Sequence, residues 1–231
     1  MLPSRGPSLP SEWPHGPGLP RDDQPEWLDQ GRGSPRDVAI NLAEMARINR
    51  WLGGLPALTR HLYPRILAAA SPVTVLDLGT GSAEFPARLA AWARARGRDV
   101  RVIAVDWAAR NLAVARRHAR AGVSLLQADA LQPPLPAGGV DFVISSLFLH
   151  HFAPAAAADL LRGAARLARR AVIMTDLVRG RLPMLAFRLV RPIFARHPLT
   201  SHDGLLSIRR AYVPRELRAL AAAAGLAGAR V

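Results

Sequence analysis

The chain has 231 residues, a length that fits one α/β domain with additions, and its formal net charge of +14 rests on arginine alone, because the 31 basic residues include no lysine. That arginine and alanine richness reads as a coding bias rather than a nucleic-acid footprint, so no nucleic acid is expected as partner. Cysteine is absent, which excludes disulfides, cysteine-ligated metals and a cysteine nucleophile, and no metal site is expected. Residues 1–36 are dense in proline, glycine, serine and charge, so they are expected to be a disordered tail in which Trp13 and Trp27 are incidental, with docking anchors as the other reading. Order is expected from Asp37. Val38, Leu42, Met45, Ile48 and Leu52 recur at helical spacing up to Gly53-Gly54, and a second helix is expected over 56–70 with Pro64 inside it. From Val73 the pattern alternates. Strands are predicted at 73–78, 100–106, 123–127, 139–146 and 170–176, with helices at 83–96, 108–120 and 154–168 between them. This order predicts a doubly wound, mostly parallel α/β sheet. A further helix is expected from about Pro214 to Gly225.

In such a sheet ligands sit beyond the carboxyl ends of the strands. The first strand ends in Asp77 and the turn Gly79-Thr80-Gly81, where missing side chains let a ligand approach the backbone. The second ends in Asp106-Trp107 and the third in Asp129-Ala130. The fourth ends in Ser145-Ser146 and runs on to His150-His151, and the fifth ends in Asp176. A carboxylate at Asp106 suits both hydroxyls of a ribose, and a short side chain after the third strand suits an adenine amino group. A dinucleotide fits poorly. The pyrophosphate fingerprint needs a third glycine where Glu84 stands, and that carboxylate would repel the phosphates. Asp77 suits a cationic amine instead. Adenosine, a ribose diol and a charged amino acid together describe S-adenosylmethionine.

At these residues the chain resembles the class I S-adenosylmethionine-dependent methyltransferases. "VLDLGTGSA", "VIAVD", "LLQADA" and "FVISSLFLHHF" resemble four successive motifs of that family, over roughly Pro72 to Asp176. "DVAINLAEMARINRWLGG" and "HDGLLSIRRAYVPRELRAL" look like a bacterial small-molecule subgroup of quinone and polyketide type. The resemblance implies a Rossmann-like fold, S-adenosylmethionine as cofactor, and cofactor contacts at Asp77, Gly79, Thr80, Gly81, Asp106, Trp107, Asp129, Ala130 and Ser145. It divides the ordered part, 37–231, into N-terminal helices (37–70), a cofactor core (72–176) and a lid or substrate segment (177–212). Two departures stand out: the family's usual third glycine is Ala83, and "GLAGARV" ends where a sixth strand should begin. The last hairpin is therefore expected to be missing, leaving "AVIMTD" as an apolar edge that favours poor solubility or a dimer.

The expected reaction is methyl transfer to a small, apolar or aromatic acceptor at oxygen or carbon. The alternative is a catalytically impaired relative that only binds the cofactor. A nucleic-acid methyltransferase fits less well, since the cysteine nucleophile and the Pro-Pro-aromatic motif after the fourth strand are both lacking. His150 or His151 is a candidate base near the methyl, or else orients its loop, and His202-Asp203 is a second pair that also reads as a turn before Gly204. "RGRLPMLAFRLVRPIFARHP" places Arg181, Arg188 and Arg191 on one helical face and Leu182, Leu185, Leu189 and Phe194 elsewhere. It reads as a lid helix, with peripheral contact to anionic lipid as the other reading. With no apolar run of membrane-spanning length and no signal-like N-terminus, the expected location is cytoplasmic.

Overall fold

The computed structural model describes residues 19–52 and 54–231. Two helices come first, α1 (Pro35–Trp51) and α2 (Gly54–Ala68). The alternating core follows: β1 (Val73–Leu78), α3 (Glu84–Arg94), β2 (Val100–Asp106), α4 (Ala109–His118), β3 (Val123–Gln127) and β4 (Val140–Ser146). A short 3-10 turn, Leu149–His151, then leads to α5 (Pro154–Leu167), β5 (Ala168–Thr175), α6 (Arg181–Phe194), α7 (Pro198–Arg210) and α8 (Pro214–Ala223). The five strands pair in the order β3-β2-β1-β4-β5, and every pairing is parallel. The doubly wound sheet expected from the alternation is thus observed.

Both faces of the sheet are covered, as a parallel sheet requires. Successive side chains of β1 point to opposite faces, so Val73 and Val75 pack with Leu58, Leu62 and Ile66 of α2 and with Leu89 of α3. Leu76 and Leu78 pack on the other face with Leu160 and Leu167 of α5 and Leu220 of α8. α1 opens on a capping box between Ser34 and Asp37, followed by Pro35, the arrangement that suits a helix start.

Two expectations change. β5 starts at Ala168 rather than at 170, so Arg169 joins Arg170 in the edge strand and both pair with Asp141, placing charge beside the apolar "AVIMTD" run of that edge. The boundary at Asp37 also moves. Residues 1–18, Trp13 among them, lie outside the described residues, but the segment from Leu19 to Ser34 packs against the domain. Arg21 donates to the carbonyls of Arg210, His150 and Phe152 and stacks over Tyr212, and Leu28 is buried with Val38, Val114 and Leu199. Trp27 lies flat against His202 with ring centroids 3.7 Å apart. The composition of this segment is tail-like, yet a few buried side chains and backbone hydrogen bonds offset its ordering entropy.

Candidate functional site

The β1–α3 turn forms one wall of the site. Gly79 and Gly81 have φ of +71° and +56°, and Ala83 follows at +53° where the family's usual glycine is replaced. A Cβ at Gly79 would lie 2.3 Å from the Phe148 ring, so glycine is required there by space as well as by backbone. Thr80 N–H donates to Val105 O, which ties the turn to β2. The turn borders an open cavity of about 100 Å³ lined by Asp77, Thr80, Glu84 and Phe85, and across from them by Met45 and Asn49 of α1. Asn49 hydrogen-bonds Ser146 at 3.0 Å, and Arg50 pairs with Glu84 at the start of α3.

Asp77 is 5% exposed and accepts one hydrogen bond, from Thr80 Oγ1 at 2.7 Å. Burial pushes its carboxyl up to about 7, and the neighbouring Asp106 charge adds to the shift while Thr80 opposes it. A buried acid that faces a cavity with so little support suits a cationic group of a ligand.

A second, apolar chamber of about 50 Å³ lies beside the first, lined by Met45, Ile48, Leu147, Phe187 and Ile208, with Glu26 and His150 in its wall. Met45 and Leu147 border both cavities. Leu147 has φ +54°, a rare conformation for a bulky residue, held by donation from its N–H to Thr175 O. Gly204 of α7 makes room for Phe187, since a Cβ there would lie 2.3 Å from that ring.

The polar wall of the chamber is built from distant parts of the chain. His150 Nδ1 donates to Asp176 at 2.7 Å, and its Nε2 faces Glu26 Oε1 at 3.5 Å, beyond hydrogen-bond geometry. His151 Nδ1 donates to Asp29 at 2.9 Å, and its Nε2 lies 4.0 Å from Glu26 Oε2. Burial opposes the charge on His150, but the Asp176 and Glu26 carboxylates outweigh it and push the ring up to about 10. Burial likewise opposes the charges on Asp176 and Glu26. The His150 ring reverses this at Asp176, and His151 and His150 reverse it at Glu26, so both carboxyls fall below their ordinary range.

The comparisons with known proteins fit this arrangement. A model of the methyltransferase domain matches residues 75–171. The demethylmenaquinone methyltransferase of Thermus thermophilus is 31% identical over 172 residues, covering 67% of this chain and 74% of the relative. The chain belongs to the class I S-adenosylmethionine-dependent methyltransferases. Solved structures share the fold at lower identity. The plantazolicin methyltransferase BpumL, in complex with a monoazolic desmethylPZN analog and SAH, is 14% identical over 84% of this chain and 70% of its own, with a TM-score of 0.62. A SAM dependent methyltransferase from Aquifex aeolicus is 16% identical over 84% of this chain and 89% of its own, with a TM-score of 0.53. The protein is an enzyme whose cofactor is S-adenosylmethionine.

Of the cofactor residues expected for this methyltransferase, Asp77, Gly79, Thr80 and Gly81 line the open cavity together. Asp106 lies behind the turn. Its carboxylate accepts from Gly81 N–H, Ala108 N–H and Asn111 Nδ2, so it braces the turn and the entry to α4 while keeping lone pairs for a hydroxyl. Trp107, 74% exposed, and Asp129, which accepts from Leu131 N–H, stand at the open ends of β2 and β3, with Ala130 beside Asp129. Ser145 does not reach the cavity. Strand alternation turns its hydroxyl inward to donate to Leu78 O, and Ser146 and Leu147 take the place expected for it. His202 Nδ1 donates to Asp203 at 2.8 Å, and the pair is committed to the N-terminal segment. Asp203 accepts from Trp27 and Leu28 N–H, and His202 stacks on Trp27, so the two hold the N-terminal segment. That segment brings in Glu26 and Asp29, which sequence reasoning missed. The turn of "EWLD" was hidden in a proline-rich stretch with no periodicity.

Proposed function

We propose that the enzyme methylates an oxygen or carbon of a small, apolar or aromatic acceptor that carries an acidic proton. The observation that carries this reading is the apolar chamber that shares Met45 and Leu147 with the glycine-turn cavity and ends on the Glu26–His150 wall. S-adenosylmethionine supplies an electrophilic methyl group. The residues of the chain have the tasks of holding the two ligands in line and excluding water, which account for much of the acceleration in such transfers. Asp77 is assigned to the amino group of the cofactor, Asp106 to the ribose hydroxyls, and Trp107, Asp129 and Ala130 to the adenine end. Met45, Ile48 and Phe187 are assigned to the apolar body of the acceptor.

His150 is assigned to the acceptor's ionisable group. Its Nδ1 is committed to Asp176, so Nε2 is the atom it presents to the chamber wall, where the charge left by a departing proton is met. His151 acts from the outer side of the same wall. The Thermus thermophilus relative is named for demethylmenaquinone, which agrees with a flat, greasy acceptor. The exposed face of α6, with Leu182, Leu185, Leu189 and Ile193, supports peripheral contact with a lipid surface that holds such acceptors.

Incubation of the purified protein with methyl-labelled cofactor and a panel of phenols, enols and quinols tests the proposal. Label is expected in an organic-extractable product, with loss of at least about a hundredfold in His150→Gln, the range for removing a donor that meets a developing oxyanion. No transfer to any acidic acceptor, with cofactor binding intact, favours a relative that only binds the cofactor.

A further inference from the structure

The geometry points to a divalent metal site formed by His150 Nε2, His151 Nε2 and the Glu26 carboxylate, with its free coordination positions directed to the acceptor chamber. The three ligand atoms lie within 4.8 Å of one another, and Glu26 is 3.5 Å from one ring nitrogen and 4.0 Å from the other. Donors at about 2.0–2.1 Å from a tetrahedral zinc ion lie about 3.3 Å apart, so modest side-chain adjustment closes the set.

Three further observations separate this cluster from an ordinary group of polar residues. The His150 Nε2 atom is fully buried, in a residue 1% exposed, and has no hydrogen-bond partner; left so, it is costly. Each imidazole gives its other nitrogen to a carboxylate, His150 to Asp176 and His151 to Asp29, which fixes both rings with Nε2 toward Glu26. That carboxylate–histidine pairing is how metal-binding imidazoles are oriented and made more basic. Ser207 Oγ in turn donates to Glu26 Oε1 at 2.6 Å and orients the third ligand. The charge balance also favours a cation. Glu26, Asp29 and Asp176 face the two rings, while Arg21 and Arg210 are occupied with the backbone carbonyls of His150, His151 and Phe152, Arg210 also reaching Asp29.

Two imidazoles and one carboxylate suit zinc or another divalent first-row ion better than magnesium or calcium, which prefer oxygen donors. An ion there would act as a Lewis acid on an acceptor hydroxyl, taking the place of a ring proton in neutralising the oxyanion. That role rests on the methyl-transfer reading above, whereas occupancy of the site does not.

The test is made on the full chain, stripped with chelator and dialysed near neutral pH. Zinc titration followed by calorimetry and elemental analysis is expected to give one ion per chain, and cobalt is expected to give a visible absorption band from nitrogen and oxygen ligation. Glu26→Gln and His151→Gln should each weaken zinc binding by at least about tenfold, and Asp29→Asn, a positioning change, by about 10–100-fold. Binding of S-adenosylhomocysteine by each variant serves as the folding control. Absence of zinc binding to the stripped wild type overturns the site, as does affinity unchanged in both Glu26→Gln and His151→Gln. Full methyl transfer by zinc-free protein would remove the ion from the reaction and leave the function standing; zinc binding without transfer to any acceptor would do the reverse.

Discussion

The Asp77 carboxyl is buried beside Asp106 with Thr80 Oγ1 as its one donor, and burial raises it from 3.8 to about 7. A group held above its unfolded value contributes stability that is full below about pH 4 and is lost as pH climbs through about 7. The cofactor-free enzyme should therefore weaken over that window, and Asp77→Asn should not. At pH 8 the variant should be more stable than the wild type, by an amount on the order of a few kcal/mol at most, and so melt higher. Cofactor binding should move the other way. On the proposed assignment of Asp77 to the ammonium group of S-adenosylmethionine, which favours the ionised carboxylate, wild-type affinity is expected to rise with pH through about 7 and then level. Asp77→Asn should bind about 10–150-fold more weakly at pH 8, the loss of one charged hydrogen-bonded partner. Melting curves and calorimetry between pH 5 and 8 decide both signs. An Asn variant that is destabilised at pH 8 would show that Asp77 is not a strained acid. The residues of this half of the site were legible because the chemistry is local: an acid, two glycines and a helix start within eight positions. Ser145 was misplaced for an equally local reason, since one step along a strand turns a side chain to the opposite face.

At the scale of elements, the five strands were read to within about two residues, because buried parallel strands leave apolar runs bounded by glycine, proline and acids. The segment from Leu19 to Ser34 was not legible. It forms no long element, and its order comes from partners far along the chain: Arg179 Nε donates to Leu19 O, Ser207 to Glu26, and Asp203 accepts from Trp27 and Leu28. Its composition carries no trace of those contacts. A protein beginning at Asp37 loses them together, including the burial of Leu28, which alone contributes about 1.5–3 kcal/mol. Compared with a protein beginning at Leu19, it should melt at least about 4 °C lower, given about 2–4 °C per kcal/mol for a domain of this size. Calorimetry of the two chains measures the difference, and equal melting temperatures would mean that the segment is a passenger. Methyl transfer should fall further than stability explains, because Glu26 leaves the wall of the acceptor chamber with the segment.

For the whole molecule, the proposed apolar acceptor needs a route to a chamber roofed by α6. That helix presents Phe187 inward, 7% exposed, and turns Leu182, Leu185, Leu189 and Ile193 outward, at 54–76% exposure. The four fall at spacings of three and four residues, one continuous stripe on a helix about 21 Å long. Arg181, Arg188 and Arg191, all exposed, lie along one flank of the stripe. No helix among the described residues is long and apolar enough to cross a membrane, so the stripe fits a helix lying at an interface. These three arginines beside the stripe point to an anionic surface, near which each contributes about 1 kcal/mol. Partial burial of four large apolar side chains adds to that, and together they predict reversible binding rather than permanent insertion. In flotation assays the enzyme should associate with vesicles containing phosphatidylglycerol and not with neutral phosphatidylcholine. Leu189→Asp should abolish association at any salt concentration, because it breaks the apolar stripe. Arg188→Gln should weaken it most at low salt and little at high salt, because screening has by then removed the electrostatic part. Both substitutions lie on the outer face, so binding of S-adenosylhomocysteine should be unchanged in each. Equal recovery with neutral and anionic vesicles, or association that survives Leu189→Asp, would separate α6 from the route of the acceptor.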